Sequence, residues 1–359
     1  MTINHNKFLN LAFSIAKINL GKTKSNPSVG CVIVKNGSVI SSGHTSINGR
    51  PHAEFNALNK KINFRNSIAY ISMEPCTHHG QTPPCINIII NKGVKKIYYS
   101  FNDVDKRTFK KASIILKKKK IKCFKRVPIN YKNFYQSYNI NKLNNLPLLD
   151  AKIALSKDYF TISKKSKWIT NILSRRRVHL IRSEYEAILS TSKSINKDNS
   201  LLNCRLNGFN NNKPDLIIID MKLKIKKSLK LFKIKSKRKI FLITTDVKNR
   251  KKISFLKKKG IKIIKIVSLA NRSDFTKLFK TLKKKGLNRI LVESGLIFLK
   301  ELLKNNLIFN LFLFKSQFRL GRNGINNVSA NFLMKFKKLK KIRVNLLGDE
   351  LYKIGIKNV

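Results

Sequence analysis

The chain has 359 residues, 42% of them hydrophobic, and this length and composition predict about two folded domains rather than a disordered chain. Lysine and arginine number 77 against 17 aspartates and glutamates, so the formal net charge is +60. Five cysteines are too few for a disulfide scaffold, and the apolar runs fall short of the ~18 residues of a membrane span, so we expect a cytoplasmic protein without a membrane partner.

The charge has two interpretations. So basic a chain suggests a nucleic-acid partner, or deamination of a tRNA base. However, the lysines are spread from end to end and accompany many Asn, Ile and Phe residues, which share A/T-rich codons with Lys. We therefore attribute much of the charge to genome composition and expect no specific nucleic-acid partner. A positive field would also speed the capture of an anionic substrate.

The first predicted element is an amphipathic helix, whose apolar residues recur at helical spacing: Phe8, Leu11, Ala12 and Ile15. Largely apolar runs then predict strands, and Asn36-Gly37 between the first two is a strong hairpin signal. The predicted strands are residues 29–35, 39–43, 69–73, 96–100, 148–155, 187–190, 215–220, 239–244, 261–267 and 289–293.

A local pattern connects helices to strands. Lysine-rich helix ends are followed by Gly93, Gly260 or Gly286 and then by a β-branched run. Lysines suit the negative end of a helix dipole, and glycine supplies a left-handed cap. Alternating helices and apolar strands predict α/β layers with mostly parallel sheets. The Asn-rich segment 139–147 is the best boundary, which gives domains at 1–146 and 147–359.

Three short motifs in the first half point to a metal: His52-Ala53-Glu54, Pro75-Cys76 and Pro83-Pro84-Cys85. One His and two Cys supply three ligands of a tetrahedral zinc and leave the fourth position for water, which is typical of catalytic zinc. Helices predicted at 54–58 and 86–91 would begin at this metal. Glu54 is then placed to move protons.

Zinc lowers the pKa of its water, so hydroxide is available near neutral pH. This arrangement is typical of the zinc deaminases, in which hydroxide attacks an amidine-type ring carbon and ammonia leaves. The alternative is a core histidine with two inert buried thiols. The other cysteines, Cys31, Cys123 and Cys204, lack such neighbours, and we expect them to be small core residues.

The loop between the two motif cysteines resembles that of one enzyme family. Nucleoside and tRNA deaminases usually have Pro-Cys-x-x-Cys, whereas here a longer loop joins Cys76 to Cys85. With residues 26–30 (Asn-Pro-Ser-Val-Gly) upstream, it resembles the bifunctional deaminase–reductases of riboflavin biosynthesis. The resemblance implies an N-terminal cytidine-deaminase-like α/β/α domain of three layers and a C-terminal α/β domain folded like dihydrofolate reductase.

For domain 1–146 the resemblance implies zinc-dependent deamination of 2,5-diamino-6-(5-phosphoribosylamino)pyrimidin-4-one. It also implies that Asn26, His44 and Asp103 contact this substrate. Two positions depart from the family pattern. Gln81 stands where a basic residue is usual, and residues 103–106 (Asp-Val-Asp-Lys) stand where Asp-Pro-Asn-Pro is usual.

The second half carries no metal or nucleophile motif of its own. The turn at residues 292–295 (Val-Glu-Ser-Gly) opens a predicted helix at 296–303, whose free N–H groups suit a phosphate. Several stretches resemble the family's reductase domain: residues 152–156, 166–170, 187–189 and 292–295, Arg175-Arg176 with Arg182, and Asp198 with Arg205.

The resemblance implies that domain 147–359 uses NADPH to reduce the opened ribose to a ribityl chain. The residues implied to contact NADPH are Ala154, Trp168, Ser194, Asp198, Gly295, Leu296 and Ile297. The residues implied to contact the sugar phosphate are Ser166, Arg182, Leu202, Arg205 and Glu293.

Departures in this half leave alternatives open. The family's Ser-Leu-Asp-Gly is Ser-Lys-Asp-Tyr at 156–159, a short deletion precedes Trp168, and an Asp-Asn/Asp-Pro segment is Asp-Asn-Ser at 198–200. A deaminase with a decayed reductase domain therefore stays open. So do a core position for Trp168, a solvated basic face for Arg182 and Arg205, and a homo-oligomeric assembly.

Overall fold

A computed structural model describes residues 4–208, 214–233, 238–326, 340–342 and 344–356. The chain divides into two compact units, Met1–Leu146 and Pro147–Val359. Within the described ranges, no helix has the length and apolar character needed to cross a bilayer.

The first unit is one mixed sheet between helices. Its strands lie in the order β2-β1-β3-β4-β5, with β1 antiparallel to β2 and β3 and the remaining pairs parallel. The strands are β1 (Gly30–Lys35), β2 (Ser38–His44), β3 (Ile68–Met73), β4 (Lys96–Phe101) and β5 (Lys122–Lys125). The helices are α1 (His5–Ala16), α2 (Ala53–Leu58), α3 (Cys85–Asn91), α4 (Lys111–Lys118) and α5 (Gln136–Leu143).

Alternating side chains of β1 build two cores on opposite faces of this sheet. Val32 and Val34 pack with Leu9 and Ala12 of α1. Cys31 and Ile33 face the other way, into a core that receives apolar side chains of α2 and α3: Ala53, Ala57, Leu58, Ile86 and Ile89. The sheet is therefore the middle of three layers.

Two glycines let helices approach the sheet closely. A Cβ on Gly30 would lie 1.9 Å from the carbonyl oxygen of Ala12 in α1. A Cβ on Gly43 would lie 2.5 Å from both the Ala53 carbonyl oxygen and the Ala57 nitrogen in α2. Since real Cβ atoms do not approach backbone this closely, glycine at 43 sets the position of the helix that follows the predicted ligand His52.

The second unit is built on a nine-stranded sheet of order β11-β10-β9-β8-β12-β6-β13-β16-β15. All neighbours from β11 to β13 are parallel, and β16 is antiparallel to β13 and β15. The long strands are β6 (Leu148–Leu155), β8 (Ala187–Thr191), β9 (Asp215–Ile219), β10 (Ile240–Thr244), β11 (Ile261–Lys265), β12 (Arg289–Val292), β13 (Asn310–Lys315) and β16 (Glu350–Gly355). The two-residue strands are β7 (Ile162–Ser163), β14 (Gly324–Ile325) and β15 (Lys340–Lys341).

Helices cover this sheet because its central strands are apolar on both faces. Apolar residues of α7 and α8 pack against β8, β9 and β10, and residues of α6 pack against β12 and β13. The helices are α6 (Ile172–Ser183), α7 (Ser192–Asp198), α8 (Arg250–Lys258), α9 (Arg272–Lys284) and α10 (Leu296–Lys304).

The predicted strands are present, with ends shifted by at most two residues and both ends of β6 unchanged. Lys35 pairs with Ser38 across Asn36-Gly37, and both turn residues have positive φ, which confirms the predicted hairpin. Gly93, Gly260 and Gly286 also have positive φ after lysine-rich helix ends. The face predicted for α1 was partly wrong, because Leu11 is 38% exposed whereas Leu9 and Phe13 are buried.

Candidate active sites

The three predicted metal ligands come together in the first unit. His52 immediately precedes α2, Cys85 is the first residue of α3, and Cys76 follows β3. The Nδ1 atom of His52 lies 3.3 Å from the Sγ of Cys85 and 3.6 Å from the Sγ of Cys76. All three ligand atoms lie within 4.8 Å of one another.

These distances fit a zinc ion. With Zn–S near ~2.3 Å and Zn–N near ~2.0 Å, tetrahedral angles place a sulfur and a nitrogen ligand about 3.5 Å apart. Both nitrogen–sulfur distances at His52 lie close to that value. The backbone N–H of Cys85 also donates to the Sγ of Cys76, at 3.2 Å, and this bond favours a thiolate there.

The pKa values of Cys76 and Glu54 are shifted in opposite directions from their ordinary values. Hydrogen bonds from Cys85 and His52 lower the pKa of the Cys76 thiol despite its burial. Glu54 is buried in the first turn of α2, and burial followed by the charge of Cys76 raises its pKa to about 7. A carboxyl group that titrates near neutral pH can both accept and donate a proton.

The buried carboxylate of Glu74 anchors the backbone just before the metal-binding loop, which comprises residues 76–85. Glu74 follows β3 directly, and its side chain accepts hydrogen bonds from the backbone N–H groups of Asp103, Lys110 and Ala112. The segment before Cys76 is thereby tied to the segment after β4. These hydrogen bonds thus hold in place the backbone that leads to the predicted ligand Cys76.

The residues implied to contact the deaminase substrate fall into two groups. Asn26 and His44 are bonded to residues that lie within four positions of His52 in the chain: the Asn26 Nδ2 donates to the Gly49 carbonyl at 2.8 Å, and the His44 carbonyl accepts from Asn56 in α2. Asp103 is buried and accepts hydrogen bonds from the Tyr138 hydroxyl, at 2.7 Å, and the Asp105 N–H. Its carboxylate oxygen Oδ1 is therefore held by structural contacts.

The second candidate site lies at the carboxyl edge of three neighbouring parallel strands, β8, β12 and β6. Ala154 lies near the end of β6, Ser194 follows β8 in α7, and Gly295 follows β12 and precedes α10. A Cβ on Gly295 would lie 3.8 Å from the Ser194 Oγ, so these two residues are adjacent. Leu296 begins α10 and is buried, whereas Ile297 is exposed.

An ion pair between Arg182 and Glu293 joins α6 to the end of β12. The Arg182 Nε donates to the Glu293 Oε1 at 2.6 Å and its Nη2 donates to Oε2 at 2.9 Å. Both side chains are about nine-tenths buried, which excludes a solvated basic face for Arg182. The paired N–H donors of the Arg182 guanidinium, which could otherwise bind a phosphate, are thus bonded to Glu293. The remaining Arg182 Nη1 donates to the Asn203 carbonyl.

Trp168, Ser166 and Asp198 are three further residues that the resemblance implies to contact a ligand. Trp168 is 56% exposed, so it is not a core aromatic, and the Arg175 guanidinium stacks on its ring. The Ser166 hydroxyl donates to the Trp168 carbonyl. Asp198, at the end of α7, has Lys152 and Lys167 as charged neighbours.

Leu202 and Arg205 lie in the segment after α7. The Leu202 side chain is buried in the core, and its carbonyl accepts a hydrogen bond from Arg238. Arg205 is exposed. The pKa of Arg205 is lowered first by partial burial of the guanidinium and then by the nearby positive charge of Arg182.

Comparison with known proteins assigns the chain. The family model of the RibD C-terminal domain matches residues 149–348, more than half of the chain. The chain belongs to the RibD family. The cytidine and deoxycytidylate deaminase zinc-binding region matches residues 2–101. The predicted fold class and the predicted succession of a zinc-binding deaminase and a reductase are thereby confirmed.

Relatives in the RibD family match along nearly the whole chain. The riboflavin biosynthesis protein RibD of Buchnera aphidicola is 30% identical over 94% of this chain and 96% of its own. That of Aquifex aeolicus is 28% identical over 96% of each chain. A Thermotoga maritima structure, described as a diaminohydroxyphosphoribosylaminopyrimidine deaminase/5-amino-6-(5-phosphoribosylamino)uracil reductase, shares the fold with a TM-score of 0.81, at 24% identity over 98% of each chain.

Two charged residues of this RibD-family chain escaped the sequence analysis. Arg50 lies two residues before His52, and its Nη1 donates to the Thr82 hydroxyl at 2.5 Å. Lys152 lies in the centre of β6, where burial lowers its pKa and Glu293, Arg182 and Asp198 are its charged neighbours. A lysine between Ala151 and Ile153, in a largely apolar strand that also holds Asp150, was the available signal, but the resemblance implied a role only for Ala154 in that stretch.

Proposed function

We propose that this chain catalyses two steps of riboflavin biosynthesis. The first unit would deaminate 2,5-diamino-6-(5-phosphoribosylamino)pyrimidin-4-one by hydrolysis, and the second would reduce the ribosyl group of the product to a ribityl chain with NADPH. The observation that carries the first step is the fit of His52, Cys76 and Cys85 to a zinc ion. Membership of the RibD family supports the pairing of the two reactions.

The residues divide the work of deamination. Zinc held by His52, Cys76 and Cys85 would acidify a water molecule. Glu54 is placed to carry the proton to the departing amino group, since it is buried in α2 two residues from His52 and titrates near neutral pH. Asn26 and His44 are proposed to orient the pyrimidine, because their hydrogen-bond partners, Gly49 and Asn56, lie within four positions of His52 in the chain.

In the reductase, NADPH supplies the hydride and the protein orients both partners. Ser194 and Gly295 are proposed to hold the cofactor, because they are adjacent at the carboxyl edge of the parallel sheet, where α/β folds bind ligands. Glu293, Arg182 and Lys152 form a buried charged group beside that edge and are proposed to position the sugar.

The proposal includes a reducing, cytoplasmic environment, because the thiols of Cys76 and Cys85 bind a metal only when they are not oxidised. The +60 charge is proposed to aid capture of the anionic substrate rather than to bind nucleic acid. RNA binding that persists at ~200 mM salt would contradict that part of the proposal.

The test is a coupled assay on the purified, zinc-loaded chain. The phosphoribosylated pyrimidine should release ammonia first and then support NADPH oxidation. Absence of ammonia release would refute the deaminase assignment. Ammonia release without NADPH oxidation of the deaminated product would show that the second unit is a decayed reductase.

A further inference from the structure

Arg50 lies at the edge of the deaminase site in a position that the zinc chemistry does not use. Its Nη1 lies 2.5 Å from the Thr82 hydroxyl oxygen and 3.4 Å from the Nε2 of His52. Nε2 is the ring nitrogen that faces away from the two cysteine sulfurs. The Nη2 also lies close to Gly80, at 3.4 Å from where a Cβ would be. The guanidinium therefore spans the ligand His52 and the metal-binding loop.

The charge of Arg50 is not neutralised by the protein. No carboxylate among the described residues forms an ion pair with it, whereas Arg107 of the same unit pairs with Asp105 at 2.6 Å. Within the described part of the chain, Nε and Nη2 of Arg50 have no hydrogen-bond partner. Arg50 is half-buried, so these donors are held near the site rather than spread into solvent.

A second cation, Lys22, lies near His44, which the resemblance implies to contact the substrate. Lys22 lies close enough to His44 to lower its pKa, after the larger effect of burial. The backbone joins Lys22 to the Arg50 segment, because the Asn48 N–H donates to the Lys22 carbonyl at 2.9 Å. The acid facing His52 is Glu54, which lies buried in α2. A guanidinium that lies beside His52 and forms no ion pair with a carboxylate of the described residues is suited to an anion.

We propose that Arg50 binds the phosphate group of the deaminase substrate and so selects phosphorylated over unphosphorylated pyrimidines. The inference rests on the proposed function, since it names the group that recognises that substrate. A guanidinium suits this role because its planar fork offers paired donors to phosphate oxygens. The bond to Thr82 orients the fork in advance, and the free Nε and Nη2 remain for the ligand.

The test compares the phosphorylated substrate with its dephosphorylated counterpart. Arg50→Gln should raise KM for the phosphorylated substrate about 10- to 100-fold, the loss expected for charge-assisted hydrogen bonds. Its kcat/KM for the dephosphorylated compound should stay unchanged. Arg50→Lys should retain part of the discrimination, because it keeps the charge and loses the fork.

Arg65→Gln is the matched control. Arg65 is exposed and precedes the start of β3, whereas the metal ligand Cys76 follows the end of that strand. This variant should leave the preference for phosphate unchanged. If Arg50→Gln instead lowers kcat/KM equally for both substrates and also lowers the zinc content, Arg50 has only a structural role, in which it holds the metal-binding loop through Thr82. That result would overturn the proposal.

A binding measurement separates this proposal from the proposed function. Ribose 5-phosphate titrated into the zinc-loaded full chain by calorimetry should bind at a site that Arg50→Gln weakens by a similar factor, whether or not ammonia is released. Wild-type protein that deaminates neither pyrimidine would refute the proposed function alone. Identical calorimetric curves for wild type and Arg50→Gln would refute the role of Arg50.

Discussion

Removing one partner of the buried pair of Arg182 and Glu293 should strongly destabilise the second unit. We expect Glu293→Gln, which keeps the shape and removes the charge, to destabilise that unit by about 3–5 kcal/mol, the range for breaking a buried pair by removing one partner. Two opposite charges about 4 Å apart attract by about 4 kcal/mol at an effective dielectric of about 20, which agrees with that range.

The surroundings of the pair make the two single variants unequal. In Arg182→Met, Glu293 keeps Lys152 as a cationic neighbour. In Glu293→Gln, Arg182 and Lys152 are both left without the carboxylate that they share. Glu293→Gln should therefore cost more than Arg182→Met. The double variant should cost less than the sum of the two, by about 1–3 kcal/mol of coupling.

The loss should also depend on pH. Burial alone would raise the pKa of Glu293, but the Arg182 guanidinium outweighs burial and lowers it. Because the folded-state pKa is depressed, the stabilisation is complete above the unfolded value of about 4.3 and is lost as the pH falls through the folded value. The difference between wild type and Glu293→Gln should thus be constant from pH 6 to 8 and shrink in acid.

Urea unfolding followed by fluorescence measures this effect in one unit, since Trp168 is the single tryptophan of the chain and belongs to the second unit. Ammonia release by the first unit is the control and should be unchanged. A cost below about 1 kcal/mol for Glu293→Gln, typical of exposed pairs, or strict additivity in the double variant would refute this reasoning.

Three further changes test single elements. Glu54→Gln should keep its zinc and slow ammonia release by about 10²- to 10⁴-fold, because the proton carrier is lost; full activity would exclude that role. Gly43→Ala should lower zinc affinity about 10-fold or more, measured by chelator competition, because the added Cβ displaces α2; Gly355→Ala, where nothing lies within 4 Å, is the control. Trp168→Ala should change the free energy of unfolding by less than about 0.5 kcal/mol, as expected at an exposed site, yet weaken NADPH binding in a fluorescence titration; unchanged NADPH affinity would remove Trp168 from the cofactor site.

The fold was predictable where local sequence carries its own signal. Asn36-Gly37 selects a two-residue hairpin, and the apolar runs after Gly260 and Gly286 mark two parallel strands, the edge strand β11 and the buried strand β12. β13 was missed although Asn305 and Asn306, the latter with positive φ, end the preceding helix, because Asn310, which bonds to Asp150 in β6, interrupts the apolar run. β5 was missed because its sequence, Lys-Cys-Phe-Lys, has no buried face to give it a period, as expected of an edge strand.

The metal site was predictable because its ligands lie in compact motifs whose residue types permit little else. The pairing of Arg182 with Glu293 was not, since 111 residues separate them and only the fold brings α6 to the end of β12. Each was assigned to the substrate on its own. Their neutralisation of each other, and the position of Lys152 beside them, depend on three-dimensional packing that spacing does not encode.

The zinc content of wild type and Cys85→Ala, purified side by side and measured by mass spectrometry, tests the central claim most directly. A catalytic zinc held by three residues predicts one zinc per chain in the wild type and a large loss in Cys85→Ala, because two ligands remain. A wild-type protein without zinc, or a Cys85→Ala protein that keeps a full equivalent, would contradict the account.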